Sequence, residues 1–334
     1  MKLTLSRWIL LLYACLSCLL GIGRMQIISF GMRKLAASTN QFGLDLMKAM
    51  DKSDVAIAFC PFCISSSLAM LLMGSHSTME SALRQSLYLW GMQPQEINLA
   101  YYDMINHLGA NLPSGFHHRK PGIFSSLHDN DTENEIIFLN NIYVQRDFAI
   151  NYHYHILLQR FYKTPIHPLD FVHNGEETRQ HINAIVEMQS EGKVKDILPD
   201  RQSAATQLIL LSALYFQGTL DLNLAASKIN QNSVANNHKS QFIGPFGENY
   251  VMLESRYSRI RYGVDPYLNC TTVEMPFKGG VISLVAIMPH DTNGLDLLLT
   301  RLSGQTLNDV INNLEVKRVT LKVRNLLFLL INAN

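Results

Sequence analysis

Between Ile64 and Gly74 the chain reads as a helix that is apolar almost all the way round. A surface helix needs a polar stripe, so a helix without one must be enclosed by other elements. A second run, Gln207 to Phe216, is continuously apolar, the pattern of a strand covered on both faces. A buried helix and a twice-covered strand demand a large core with layers on either side. The 334 residues, 47% of them hydrophobic, are enough to enclose one.

The remaining periodicities fill in the layers. Residues about 26–51 read as a helix with Phe42, Leu46, Ala49 and Met50 on one face. Ser77-Thr78-Met79-Glu80 is a capping-box pattern that opens a helix running to about Leu89. The stretch Pro113 to Asn134 is rich in turn residues and reads as a long exposed loop. Glu135 to Gln145 is a strand, and residues about 151–163 and 176–190 are helices. In the second of these, Ile182, Ile185, Val186 and Gln189 mark the inner stripe. Ile260–Tyr262, Cys270–Phe277 and Val281–Met288 read as strands, Leu295–Leu302 and Leu307–Leu314 as short helices, and Glu315–Val323 as a last strand. Helices dominate the first half and strands the second, which points to the α+β class, helices packed around large sheets. No Pro/Gly/Ser-rich linker or repeat divides the chain, so residues 24–334 read as a single domain.

Lys+Arg 28 against Asp+Glu 27 gives no electrostatic case for nucleic acid or an anionic membrane. The densest basic cluster, His117-His118-Arg119-Lys120, falls in the polar loop and reads as solvated. At the N-terminus, Lys2 and Arg7 precede an apolar run from Trp8 to Leu20, with Gly21 and Gly23 after it. That is the pattern of a secretory signal peptide over residues 1–23, cleaved near Gly21 to Arg24, and the run is short for a membrane span of about 20 residues. The expectation is a secreted, extracellular protein with no membrane attachment after cleavage. Cys15 and Cys18 leave with the signal; Cys60, Cys63 and Cys270 stay, an odd number.

Local chemistry motifs are few. Cys60-x-x-Cys63 lacks a second Cys pair or Cys/His partners at ligand spacing, so it reads as buried structural cysteines, with a labile disulfide as the alternative. His153-x-His155 lies in a helical stretch and reads as solvent-exposed. No His-Glu-x-x-His, Gly-x-Ser-x-Gly or Gly-x-x-x-x-Gly-Lys pattern occurs, so the expectation is no enzyme, no metal and no cofactor. Asn130-Asp131-Thr132 and Asn269-Cys270-Thr271 are glycosylation sequons, the first in the polar loop, the second at a strand start.

Several segments, in order, resemble the serpin family of serine protease inhibitors. They are Cys60-Pro61-Phe62-Cys63-Ile64-Ser65 with Gly74, Asn141-Ile142-Tyr143-Val144, Ile182-Asn183 with Glu187, Gly192 to Leu198, Leu208 to Phe216 with Gly218, Arg261-Tyr262-Gly263, and Val273 to Gly280. The resemblance covers roughly residues 27–323. It implies an α+β fold of helices around large mixed and antiparallel sheets, and an extracellular serine protease as partner. It also implies trapping: a protease cuts and is acylated by an exposed loop, which then inserts as a new strand beside Leu208–Phe216.

Four positions depart from the family pattern where the sheet must part. Cys60 and Cys63 replace serines that open the buried helix, Ser212 replaces an Asn, and Leu220 replaces a Trp. Together they imply an altered opening of the sheet. After Val323 the family continues into further strands and the reactive loop, whereas here the chain runs Arg324 to Asn334 with an apolar Leu326 to Ile331. The resemblance therefore implies a fold incomplete at the C-terminus, without a reactive loop and not inhibitory. The alternatives are a binding, carrier or decoy protein and a defunct truncated copy. The apolar run could pair in place of a missing strand or promote aggregation.

Overall fold

The computed structural model describes residues 29–50, 58–110, 134–221, 240–243, 249–280, 282–291, 294–324 and 330–333. The signal-like segment, the His117–Lys120 cluster, Asn130 and nearly all of the expected 113–134 loop lie outside them. In chain order the elements are α1 (Phe30–Ala49), α2 (Pro61–Gly74), α3 (Ser77–Ser86), α4 (Pro94–Ala110), β1 (Glu135–Gln145), α5 (Tyr152–Leu157), β2 (Ile166–Leu169), α6 (Gly175–Gln189), β3 (Leu208–Gln217), β4 (Ser240–Ile243), β5 (Asn249–Asp265), β6 (Cys270–Pro276), β7 (Ser283–Pro289), α7 (Leu295–Arg301), α8 (Gly304–Asn312), β8 (Glu315–Arg324) and β9 (Leu330–Ala333). This is the expected α+β content.

Contacts divide the chain into two compact units. One holds Met25–Gly43, Phe59–Gly218 and Leu329–Asn334. Its sheet has the order β2-β1-β3-β9, with β2 parallel to β1 and the other pairs antiparallel. Successive side chains of a strand point to opposite faces, and both faces of this sheet are covered. Ile137, Leu139 and Tyr143 of β1, with Ile209, Leu211 and Ala213 of β3, form one core with Ile182 and Val186 of α6. On the other face Phe138 meets Phe62 of α2, ring centroids 5.3 Å apart. The continuous apolar run of β3 thus arises from packing on two sides.

The start of α2 is fixed locally. Cys60 is the N-cap in an extended conformation, and Pro61 supplies a first-turn residue with its φ already set. The helix buries Cys63, Ser65, Ser66, Ser67, Ala69, Met70 and Leu72, as its all-round apolar pattern requires. Other local expectations are corrected. The box at Ser77–Glu80 does not form: His76 is the N-cap of α3, Ser77 has φ 55, and the Glu80 carboxylate turns forward to Arg84. The helix expected over 151–163 is α5 followed by a π-helical turn, Leu158–Tyr162, ended by Lys163 at φ 53. In α1 the buried residues are Met32, Leu35, Phe42, Gly43, Leu44 and Met47, while Ala49 is exposed.

The other unit holds, among the described residues, 44–50, 58 and those from 219 to 324. Its sheet runs β4-β5-β6-β7, with β8 also paired to β5. The β6–β7 hairpin turns through Gly279 (φ 86) and Gly280 (φ 69), a backbone region that side chains resist. Glu274, buried on β6, pairs with Arg261 directly opposite on β5, and Arg261 also donates to the Ile311 carbonyl at 2.7 Å.

Candidate functional site

The alternation of β1 and β3 places polar side chains on both covered faces. Asn140 and Ser212 face each other in register and point toward α2; Asn141 points toward α6. Ser212 donates its one hydroxyl proton to Asn140 Oδ1. Ser67 Oγ lies 2.6 Å from Ser212 Oγ, so Ser67 is the donor in that contact. Asn140 Nδ2 completes the chain by donating to Ser66 Oγ at 3.0 Å. On the opposite face Asn141 Nδ2 donates to Gln189 Oε1 at 2.7 Å, and Gln189 returns a longer bond at 3.4 Å. All six side chains are buried. A buried polar group without a partner costs about 1–3 kcal/mol, so a closed chain of this kind fixes where the strands sit.

Cys60 and Cys63 stand at the head of the same helix and form a disulfide, Cα–Cα 5.3 Å. Cys60 Sγ also accepts from the Cys63 amide at 3.1 Å, in the place of an N-cap oxygen. Both cysteines are buried, as expected, and they are bonded, which was the alternative reading from sequence. Cys270 is the free cysteine among the described residues, its thiol pushed up to about 11 by burial. Beside the asparagines, Tyr143 and His167 are register partners on β1 and β2, their rings stacked 5.1 Å apart. Neither the Tyr143 hydroxyl nor His167 Nε2 has a hydrogen-bond partner among the described residues. Burial raises the Tyr143 pKa and lowers that of His167, which the nearby His181 lowers further.

The second edge of β3 is taken at residues 211–214. β9 pairs antiparallel to it through Leu211↔Ala333, Ser212↔Asn332, Ala213↔Ile331 and Leu214↔Leu330. Ser212 thus sits at a crossing of three elements: β1 on one side, β9 on the other, α2 beneath.

The family model for "Serpin (serine protease inhibitor)" matches residues 37–325. The chain belongs to the serpin family. Mouse Serpin B13 is 24% identical over 307 residues, covering 88% of this chain and 74% of the relative. Intracellular coagulation inhibitor 2 of Tachypleus tridentatus is 25% identical over 289 residues, covering 86% and 65%. Among solved structures, emu ovalbumin superposes with a TM-score of 0.70 at 17% identity, covering 87% of this chain and 73% of that one. Human thyroxine-binding globulin with its reactive loop cleaved superposes at 0.67 and 20%, covering 88% and 79%. At these identities the structural likeness establishes the serpin fold.

Of the four positions singled out from sequence, Cys60, Cys63 and Ser212 gather around α2 and β3 of one unit. Leu220 belongs to the other unit, where it bridges Phe277. Sequence reasoning assigned none of Ser66, Ser67, Asn140, Asn141 or Gln189 to a site, although Asn141 opens a family-like segment and Gln189 lies on the expected inner stripe of α6. The signal was available as three serines inside an apolar helix and two asparagines inside an apolar strand. The sequon residue Asn269 lies in the turn before β6 at φ 48, its amide donating to Asp291 Oδ2 at 2.8 Å, while Oδ1 is 3.0 Å from His290 Nδ1. His153 is exposed on α5, as expected, whereas His155, also expected to be exposed, is half-buried.

Proposed function

We propose that this serpin is a secreted protein that engages serine proteases, and that with β9 seated on β3 the engagement is reversible binding rather than covalent trapping. The observation that carries this reading is the occupied edge of β3. Strand addition needs main-chain donors and acceptors left open on a sheet edge. Here residues 211–214 of β3 already pair with β9. The polar chain from Ser67 through Ser212 and Asn140 to Ser66 holds the two neighbouring strands against α2. Cys60, Cys63 and Ser212 are the proposed gating positions, and Leu220 is proposed to act from the other unit. A protease partner is supported by the family and by relatives whose names are those of inhibitors, such as the pig leukocyte elastase inhibitor, 24% identical over 285 residues. Secretion is supported by the basic-then-apolar N-terminus and by the disulfide, since disulfides persist in oxidising compartments. Asn130 and Asn269 are the proposed glycan sites.

A second reading, a carrier or other surface-binding role, is favoured by the same locks, because it does not require the sheet to open. The test is to incubate the secreted protein with trypsin-like, chymotrypsin-like and elastase-like enzymes. Activity should fall and recover on dilution, with no adduct on a denaturing gel. A gel-stable adduct would overturn the non-covalent reading; no loss of activity with any enzyme would favour the carrier.

A further inference from the structure

Away from the polar chain, within the same unit, α2, α3, α4 and α5 enclose a half-open cavity of about 650 Å³. Pockets for small organic ligands run about 300–1,000 Å³ and combine an apolar lining with a few polar groups. Its apolar lining includes Ala69, Leu72 and Met73 of α2, Ile97 of α4, and Leu157 and Phe161. The rim is basic. Arg84 is committed to Glu80 Oε1 at 3.0 Å and to the Met92 carbonyl at 2.9 Å. Arg160 is different: among the described residues its guanidinium meets no carboxylate and lies 5.2 Å from the Phe161 ring centroid. His76 and His153 also reach the rim, and His76 caps α3 without a side-chain bond to its first-turn amides. Of the formal charges at the rim, Glu80 offsets Arg84 and Arg160 is left over.

We propose that this cavity binds a small aromatic organic anion. A flat apolar body lies against Leu72, Met73 and Phe161, and a carboxylate or sulfonate meets Arg160. Apolar area supplies the affinity. The one uncompensated guanidinium supplies the preference for an anion, since charge-assisted hydrogen bonds are stronger than neutral ones. The proposal stands on the cavity alone and does not depend on how the protein engages proteases.

The test is a fluorescence titration of the folded full chain with 8-anilinonaphthalene-1-sulfonate. It is repeated with the neutral analogue N-phenyl-1-naphthylamine and with Arg160→Glu. Arg160 is solvent-exposed, so its replacement leaves the thermal transition in place as the folding control. The expected result is one saturable site per chain, with affinity about tenfold weaker for the neutral analogue and for Arg160→Glu, the scale of one charge-assisted hydrogen bond. Absence of saturable binding, equal affinity for the neutral analogue, or an affinity indifferent to Arg160→Glu would each overturn it.

Discussion

Ser212 Oγ lies 2.6 Å from Ser67 Oγ, and this contact ties the middle of β3 to the buried side of α2. Because Ser212 gives its proton to Asn140, replacing it by alanine strips a partner from both Ser67 and Asn140. Ser212→Ala is expected to destabilise the protein by about 1–3 kcal/mol in urea unfolding, the cost of leaving buried polar groups unpaired. An unchanged midpoint would mean that the chain of hydroxyls and amide holds nothing in place.

Cys60 and Cys63 close a loop of one helical turn. Chain entropy over so short a loop is worth roughly 2 kcal/mol. Dithiothreitol is expected to lower the urea midpoint accordingly. The double variant Cys60→Ser with Cys63→Ser, which puts a preferred capping hydroxyl at the head of α2, should be indifferent to reductant. Equal sensitivity of the two proteins to reductant would contradict this.

The layers of this serpin are legible where periodicity is strong. α2 and β3 announce themselves as apolar runs, and of the expected stripe of α6, Ile182, Val186 and Gln189 are buried while Ile185 is half-buried. α4 was not read, although its buried Ile97, Ala100, Tyr101, Met104 and Ile105 follow helical spacing after Pro94. Nor was β2, since its four residues include Pro168, tolerated because β2 is the sheet's edge strand. The polar chain was least legible. Ser67 and Ser212 are 145 residues apart, and Asn140 and Ser66 are 74 apart, so only the fold brings them together.

His167 should make the fold acid-sensitive. Burial, then the charge of His181, holds its folded pKa below the usual 6.5. As pH falls through that ordinary value the unfolded chain takes up the proton before the folded one does, so stability drops; the loss levels off below the lowered folded pKa. The melting temperature should therefore fall between about pH 7 and about pH 5. His167→Phe, which can keep the stack on Tyr143, should fall by less, with His107, also lowered by burial, supplying part of the remainder. Equal drops in the two proteins would contradict a role for His167.

Cys270 should be chemically silent in the native state. Its side chain is fully buried and its thiol is pushed up to about 11, so little thiolate exists near neutrality. Iodoacetamide at about pH 8 should leave Cys270 unmodified in the folded protein and label it in urea, as read by mass spectrometry. Rapid labelling without denaturant would show that β6 opens locally.

The central claim is that β9 and the polar chain keep β3 closed while the protein meets a protease. Hydrogen–deuterium exchange of the segment Leu208–Gln217, with and without a bound serine protease, tests it most directly. The account predicts slow exchange at Leu211–Leu214 that is the same in both states, because the β1 and β9 ladders stay in register. A burst of exchange in this segment when protease is added, followed by deeper protection, would mean that the sheet parts and gains a strand, and would contradict it.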